Sequence, residues 1–175
     1  MVRAQSLYLW GSWFESRRAD MAHIHEKIDF TASVYIVRDN TVLLHMHKKL
    51  GIWLPPGGHI ELNEDPNEAV IREAKEETGL DIDLVGHGKT YGNSPYQPRD
   101  LIPPRILNRH FFDASHTHEH VDMAFFARAP RGDARPEEEG GIIRWFTREE
   151  VELNDAGIIE DVQAHALLAL KELAS

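Results

Sequence analysis

The stretch REAKEETG, Arg72–Gly79, places Glu73, Glu76 and Glu77 within little more than one helical turn. Like charges three and four residues apart are neighbours on a helix, and each such pair costs roughly 0.2–0.5 kcal/mol. A sequence that gathers them therefore predicts an interaction that offsets the repulsion.

A helix over residues 66–78 would carry these glutamates, and the sequence marks both of its ends. Asp65 suits the N-cap, Pro66 suits the first helical position, and Glu68 completes an Asp-x-x-Glu capping box. Gly79 suits the left-handed residue that follows a helix. The helix is predicted to begin and end within a short, well-defined segment.

Helical spacing places the three glutamates on a stripe beside the core-facing one. A solvated acidic face is one interpretation. The upstream stretch PPGGHIELNE favours another, because a Gly-Gly turn lets backbone approach a ligand and Glu61 and Glu64 add carboxylates. Mg²⁺ and Mn²⁺ prefer oxygen ligands, so a divalent site would turn the repulsion into ligation. The predicted core-facing residues are Val70, Ile71, Ala74 and Thr78.

The spacing of these residues resembles a known signature. Gly58 is followed after five residues by Glu64, and after seven more by REAKEETGL. This is similar to the Nudix hydrolase pattern Gly-x5-Glu-x7-Arg-Glu-U-x-Glu-Glu-x-Gly-U, with U aliphatic, at every fixed position. Ala74 is smaller than the usual aliphatic residue, which affects local packing only. The flanking pattern fits the same family over about residues 28–172.

The resemblance implies an α/β fold, an α/β/α sandwich with a mixed sheet and a loop-helix-loop catalytic motif, in a domain spanning residues 26–175. Residues 1–25 would form an N-terminal extension. It also implies Mg²⁺- or Mn²⁺-dependent hydrolysis of a nucleoside diphosphate linked to another moiety, such as a nucleoside triphosphate, nucleotide sugar or dinucleotide. A non-catalytic nucleotide-binding or sensing module on the same fold is the alternative. Modules of that kind usually lose motif glutamates, whereas this chain keeps them all.

The resemblance also assigns roles to residues of the motif and of a later loop. The base is either a helix glutamate or a loop glutamate from the run Glu137–Glu139, of which Glu139 is the candidate by its spacing from Trp145. A solvated acidic loop is the alternative for that run. The expected metal ligands are the Gly57 carbonyl, Glu61, Glu64, Glu73, Glu76 and Glu77, and the expected catalytic residues are Arg72, Glu73, Glu76, Glu77 and Glu139.

The resemblance implies that substrate selection lies outside the motif, in loops such as 93–108. The adjacent Pro95 and Tyr96 are a mixed marker, because the proline resembles ADP-ribose-cleaving members and the tyrosine resembles dinucleoside-polyphosphate-cleaving ones. The substrate therefore stays open, and ordinary loop or core packing is the alternative role for each candidate. The candidates are Gly58 and His59 near phosphate, Trp53 and Tyr96 stacking on a base, and Arg99 and Arg105 on a terminal phosphate.

A histidine-rich segment, RHFFDASHTHEH, raises the separate question of a zinc site. A polar surface turn is the favoured interpretation, because neither cysteine nor a clear set of carboxylates completes a ligand set. The histidines concerned are His110, His116, His118 and His120.

The remaining pattern indicates strands and a closing helix. Asp39-Asn40 predicts a hairpin between two β-rich runs, two strands flank the histidine turn, and GIIRWFT and DIDLVGHGKTYG are also typical of strands. From this pattern alone, the fold is an α/β or α+β sandwich. A closing amphipathic helix is expected to bury Val162, Leu167, Leu170 and Leu173.

Composition narrows the function classes. The 175 residues carry a formal charge of −10, which argues against a nucleic-acid polymer as partner. Zero cysteines exclude disulfides and thiol nucleophiles and are compatible with a cytoplasmic location. No apolar run reaches the ~18 residues of a membrane helix, so no membrane partner is expected. The aromatic residues of the N-terminal segment suit either a homodimer contact or an exposed arm.

Overall fold

A computed structural model describes residues 27–90, 96–112, 115–130, 132–137 and 139–174. The predicted N-terminal extension, Pro95 and Glu138 lie outside the described residues. The strands are β1 (Ile28–Arg38), β2 (Thr41–His47), β3 (Ile52–Leu54), β4 (Gly57–His59), β5 (Asp83–Leu84), β6 (Ile106–Phe111), β7 (Glu119–Arg128) and β8 (Ile143–Thr147), and the helices are α1 (Pro66–Thr78), α2 (Arg148–Leu153) and α3 (Glu160–Leu173).

The strands form one mixed sheet with the central order β3-β2-β1-β7-β5. The long β1 and β7 pair in parallel, with Asp29 opposite His120 and Thr31 opposite Asp122. β4 pairs antiparallel with β1, so that Thr31 faces His59. β6 pairs with the first half of β7 and β8 pairs with β2. This register brings the glycine turn and the histidine-rich hairpin to the same end of β1.

Two apolar clusters cover the two faces of the sheet, because alternate residues of β1 point to opposite sides. Val34 and Ile36 pack with the buried face of α1. Tyr35 and Val37 pack with buried residues of α2 and α3, among them Leu170 of α3. The predicted α/β/α sandwich with a mixed sheet is confirmed.

Most sequence-predicted elements are present, and three details differ. The predicted strand DIDLVGHGKTYG is reduced to Asp83–Leu84. A helix at Arg148–Leu153 was missed, although Thr147 and Glu150 form a capping box, which is a sequence signal for the start of a helix. Ile71 was predicted to be buried but is 44% exposed, and Ala69 is buried instead. Ile71 was misplaced because it lies at the border of the core-facing stripe and lines a surface cavity.

Candidate functional site

Helix α1 begins and ends as the sequence predicts. The Asp65 side chain accepts hydrogen bonds from the backbone N–H groups of Asn67 and Glu68, and the Glu68 side chain accepts one from the Asp65 N–H. Gly79 has φ 71° and donates its N–H to the carbonyl of Lys75. These caps fix the rotation of the helix about its axis and therefore the direction in which its glutamates point.

The glycine turn approaches both the sheet and the helix too closely for any side chain. A Cβ at Gly57 would lie 2.5 Å from the Ala32 carbonyl oxygen, and a Cβ at Gly58 would lie 2.4 Å from Glu73 Oε1. Ordinary contacts of a Cβ atom are about 3.4 Å or longer. The turn is thus packed against the backbone of β1 on one side and against a motif carboxylate on the other.

Arg72 lies at the centre of the acidic residues. Its guanidinium contacts Glu64 Oε1 at 2.6 Å, Glu73 Oε1 at 2.7 Å and Glu76 Oε2 at 3.0 Å. It also donates to the His59 carbonyl oxygen at 3.2 Å, which ties the helix to the glycine turn. Arg72 is an expected catalytic residue, and in the structure its side chain contacts three carboxylates. We call Glu64, Arg72, Glu73, Glu76 and Glu77 the motif cluster.

Glu77 is held by the turn rather than by the arginine. Its Oε2 accepts the Gly57 N–H at 2.9 Å, and His45 Nε2 lies 3.7 Å away. The pKa of Glu77 is raised to about 7, chiefly because burial penalises the charged carboxylate, while the bond from Gly57 opposes that shift. Negative charge on Glu73 and Glu137 raises the pKa further. Glu77 can therefore exchange a proton near neutral pH.

Burial distinguishes the three helix glutamates. The side chains of Glu73 and Glu77 are 15% and 21% exposed, whereas that of Glu76 is 51% exposed. Burial also raises the pKa of Glu73, against the opposing effect of Arg72. The Glu73 and Glu77 carboxylates thus converge beside the glycine turn, whereas Glu76 is half-exposed. A set of oxygen donors at this position fits a hard divalent cation.

The loop residues are less tightly gathered. Glu61 is exposed, and its backbone N–H donates to Glu64 Oε1 at 2.9 Å. Glu137 lies close enough to Glu77 for its charge to raise the Glu77 pKa. The sequence selected Glu139 in this run, and Glu139 is exposed. Glu137 is exposed as well, and its charge acts on Glu77, while Glu139 stays the candidate from sequence spacing.

Several predicted substrate residues are engaged elsewhere. Trp53 is 8% exposed and packs edge-on against Phe146, which is the core-packing role given as its alternative. Arg105 pairs with Glu172 of α3. Tyr96 is 94% exposed. These positions were candidates because aromatic and cationic residues serve packing as readily as recognition.

The loop that was expected to contact substrate packs on the other side of α1. Arg99 contacts Asp65 Oδ2 at 2.9 Å, and residues 99–102 line a cavity of about 510 Å³ together with Asn67 and Ile71. Helical geometry places Asn67 and Ile71 on the side of α1 opposite to the three glutamates. Arg99 therefore secures the start of the helix in this structure.

A second polar group lies under the histidine-rich hairpin. Asp29, His118 and His120 bring three potential metal-binding atoms within 4.8 Å of one another. Among the described residues, this is the group of at least three such side chains that lies so close together. His59 joins them, with its Nε2 3.5 Å from Asp29 Oδ2. We call Asp29, His59, His118 and His120 the histidine cluster.

The sequence named four histidines here and missed the carboxylate that completes the group. His116 lies in the turn with φ 56° and stacks on Phe111, and His110 Nδ1 is 2.8 Å from Asn108 Oδ1. The interpretation of all four as a polar surface turn is thus wrong for His120, which is 7% exposed. Burial and three neighbouring histidines lower the pKa of His120 to about 4, so its ring is neutral at neutral pH. Asp29 was missed because it is far from the hairpin in sequence.

No helix within the described part of the chain has the length and hydropathy that a bilayer crossing requires.

Known proteins resemble this chain over most of its length. A family model described as the NUDIX domain matches residues 27–167. A solved hydrolase of the NUDIX family from Clostridium perfringens is 35% identical, covers 83% of this chain and 97% of its own, and superposes with a TM-score of 0.68.

Shorter stretches match curated proteins. An m7GpppN-mRNA hydrolase from Xenopus laevis is 43% identical over 56 residues, which are 30% of this chain and 19% of that protein. An 8-oxo-dGTP diphosphatase from Proteus vulgaris is 36% identical over 75 residues, or 35% of this chain and 64% of that protein. The chain thus spans less than two thirds of either curated relative. The family model and the solved relative, which both cover most of this chain, show that it belongs to the Nudix family.

Proposed function

We propose that this chain is a divalent-metal-dependent pyrophosphohydrolase acting on a nucleoside diphosphate linked to another moiety, with water attacking a phosphorus of the diphosphate. The observation that carries the proposal is the convergence of Glu73 and Glu77 on the Gly57-Gly58 turn. Gly58 has no room for a side chain beside the Glu73 carboxylate. The absence of side chains at Gly57 and Gly58 thus lets the two carboxylates pack directly against the turn.

The motif cluster fits Mg²⁺ or Mn²⁺. Glu73, Glu76 and Glu77 would be the principal ligands, with Glu64, Glu61 and the Gly57 carbonyl as further oxygen donors. When bound, the ion supplies neutralisation of diphosphate charge and lowers the barrier to attack by water on phosphorus. The fit rests on the donor set, because carboxylates gathered against a Gly-Gly turn suit hard cations better than soft ones.

Arg72 is a positioning residue in this proposal. It holds Glu64, Glu73 and Glu76 by charge-assisted hydrogen bonds between 2.6 and 3.0 Å. Since a guanidinium keeps its charge at all working pH values, it sets the separation of these carboxylates independently of pH. Removing it would leave two largely buried carboxylates without their counter-charge.

Glu77 is the strongest candidate for the general base. A base works best when its pKa lies near the operating pH, and in the ion-free protein the pKa of Glu77 is raised to about 7. Glu77 would keep this pKa, and serve as the base, only when the ion is held by the other carboxylates. Its hydrogen bond from Gly57 holds the carboxylate in one orientation. Glu137 is the second candidate through its electrostatic effect on Glu77, and Glu139 stays the prediction from sequence spacing.

The substrate is proposed at the level of class. The two curated relatives are named for a capped mRNA and for 8-oxo-dGTP, so similarity supports a nucleotide without choosing one. The net charge of −10 supports a small-molecule substrate over a nucleic-acid polymer. The cytoplasmic location and the homodimer stay predictions.

A substrate panel tests the proposal. ADP-ribose, a dinucleoside polyphosphate, a nucleotide sugar and nucleoside triphosphates would each be incubated with Mg²⁺ or Mn²⁺, and release of nucleoside monophosphate or phosphate would be measured. The control is the Glu73→Gln/Glu77→Gln double variant, with its fold checked by circular dichroism. We expect turnover of at least one compound by the wild type and none by the control. Nucleotide binding by calorimetry without turnover would replace the hydrolase by the non-catalytic module.

A further inference from the structure

The histidine cluster is assembled by the register of three strands. In the parallel pair of β1 and β7, Asp29 lies opposite His120. His118 is two residues before His120, so both follow the two-residue period of an extended chain. β4 places His59 opposite Thr31, two residues after Asp29. Four potential ligands from three distant segments therefore occupy one face at one end of the sheet.

The side chains in this cluster are close enough to share an ion. His118 Nε2 is 2.9 Å and His59 Nε2 is 3.5 Å from Asp29 Oδ2. One potential metal-binding atom from each of Asp29, His118 and His120, a carboxylate oxygen or a ring nitrogen, lies within 4.8 Å of the other two. Ligands of a tetrahedral zinc ion are roughly 3.3 Å apart, since the bonds are about 2.0–2.1 Å long. Small side-chain rotations would bring the three atoms to that separation.

The burial of the group is unusual for a surface hairpin. Asp29 is 1% exposed and His120 is 7% exposed. His120 Nε2 is buried and has no hydrogen-bond partner among the described residues. Buried polar atoms almost always have a partner, so a buried ring nitrogen of this kind is suited to binding a water or an ion. The His118–Asp29 contact explains those two side chains as a simple hydrogen-bonded pair, but it does not explain His120.

We propose that Asp29, His118 and His120 form a transition-metal site of the Zn²⁺ class, with His59 as a fourth ligand, separate from the motif cluster. Imidazole nitrogens favour Zn²⁺ and its neighbours over Mg²⁺, whereas the all-oxygen motif cluster has the opposite preference. The ion would join the start of β1, the β6–β7 hairpin and the glycine turn. His59 follows Gly58 directly, and its carbonyl accepts a bond from Arg72. The site would thus fix the turn against which the motif glutamates pack.

Co²⁺ is a suitable probe, because its visible absorption reports ligation directly and needs no activity. Untagged full-length protein would be titrated with Co²⁺ in a large excess of Mg²⁺, which occupies hard-cation sites. We expect one tightly bound Co²⁺ per chain. We expect the His118→Gln and His120→Gln variants to bind it at least about 100-fold more weakly, since even loss of a residue that only supports a ligand costs about 10–100-fold.

Two matched controls decide which cluster holds the ion. The Glu73→Gln/Glu77→Gln variant alters the motif cluster and should bind Co²⁺ as the wild type does. His116→Asn alters a histidine of the same hairpin whose φ of 56° suits asparagine, and it should also bind normally. Co²⁺ binding that is absent in the wild type, or that survives His118→Gln and disappears with the glutamate variant, would overturn the proposal.

A second measurement covers the case in which His120→Gln does not fold. Histidine ring nitrogen resonances of the wild type would be recorded before and after one equivalent of Zn²⁺, with Mg²⁺ present. The rings of His118 and His120 should move to positions typical of metal-bound nitrogen, while that of His116 should not. Unchanged resonances for both cluster histidines would contradict the site whatever the variants do.

Discussion

The motif cluster and the histidine cluster lie at neighbouring positions of the same sheet, yet they are built in opposite ways. The motif cluster comes from one continuous segment, Glu64 to Glu77, in which a capped helix repeats its positions every three to four residues. The histidine cluster joins residues at positions 29, 59, 118 and 120. Proximity along the chain governs the first cluster, and strand register governs the second.

The two clusters also balance charge differently. In the motif cluster a permanent cation, Arg72, lies among three carboxylates, and Glu77 has a raised pKa instead of a cationic partner. In the histidine cluster one buried carboxylate, Asp29, faces imidazoles that can be neutral. A dense acidic motif therefore needs cations other than its own glutamates, whereas a mixed carboxylate and imidazole group can form with little net charge.

The largest expected effect is a loss of catalysis without a loss of stability when Glu77 is replaced. Glu77→Gln should lower kcat/KM by roughly 10²-fold or more, because it removes a proposed base and metal ligand. The melting temperature should stay equal or rise, since a buried carboxylate is replaced by a neutral amide. Steady-state kinetics and thermal unfolding measure the two. Glu68→Gln on the same helix keeps the capping box and should change neither quantity. A Glu77→Gln variant with normal kcat/KM would break the assignment.

Substitution of the two turn glycines should affect stability and activity to different extents. Gly57→Ala would push a Cβ into the backbone of β1, so we expect unfolding to become easier by roughly 1–3 kcal/mol. Gly58→Ala would meet the end of the Glu73 side chain, which can move, so stability should change by less than about 1 kcal/mol. Activity should nevertheless fall with Gly58→Ala, because Glu73 is displaced. Urea unfolding and kcat/KM of both variants would show whether the order is reversed.

The pH dependence of stability tests the charge balance. The pKa of Glu77 is raised to about 7 in the folded protein, from the ordinary glutamate value of 4.5. The folded state thus holds a proton that the unfolded chain releases, and the free energy of unfolding falls as pH rises from about 4.5 to 7, by roughly 3 kcal/mol. Other groups titrate too, so the quantity to measure is the difference between wild type and Glu77→Gln in metal-free buffer. A difference that does not change with pH would contradict the raised pKa.

Divalent ions extend the same experiment. Above pH 7 the Glu77 carboxylate is charged, so added Mg²⁺ should stabilise the wild type more at pH 8 than at pH 5.5. The increment in melting temperature measures this effect. Equal increments at the two pH values would indicate that the ion binds away from Glu77.

The smallest expected effect concerns an arginine outside both clusters. Arg105→Ala should leave KM unchanged and cost at most about 1 kcal/mol, because its exposed pair with Glu172 only fastens α3 to the sheet. Substrate kinetics and denaturant unfolding measure these quantities. A large increase in KM would restore Arg105 as a phosphate-binding residue.

The sequence predicted the local features of the site because they depend on neighbours along the chain. The caps at Asp65 and Gly79 and the shared stripe of glutamates follow from helix geometry and are present. Trp53 and Arg105 were substrate candidates with packing as the alternative, and in the structure they contact Phe146 and Glu172, partners that are remote in sequence. Residue type alone does not distinguish packing from recognition at such positions.

The sequence by itself determined the Nudix motif, the helix that displays it and the resemblance that led to the α/β/α sandwich. Only the tertiary structure brought the charge of Glu137 within range of Glu77, and Asp29 next to His118 and His120 across β1 and β7. The physical reason is the range of the interactions. A helix repeats over three to four residues, whereas the pairing of β1 with β7 is set by the packing of the whole sheet across about 90 positions.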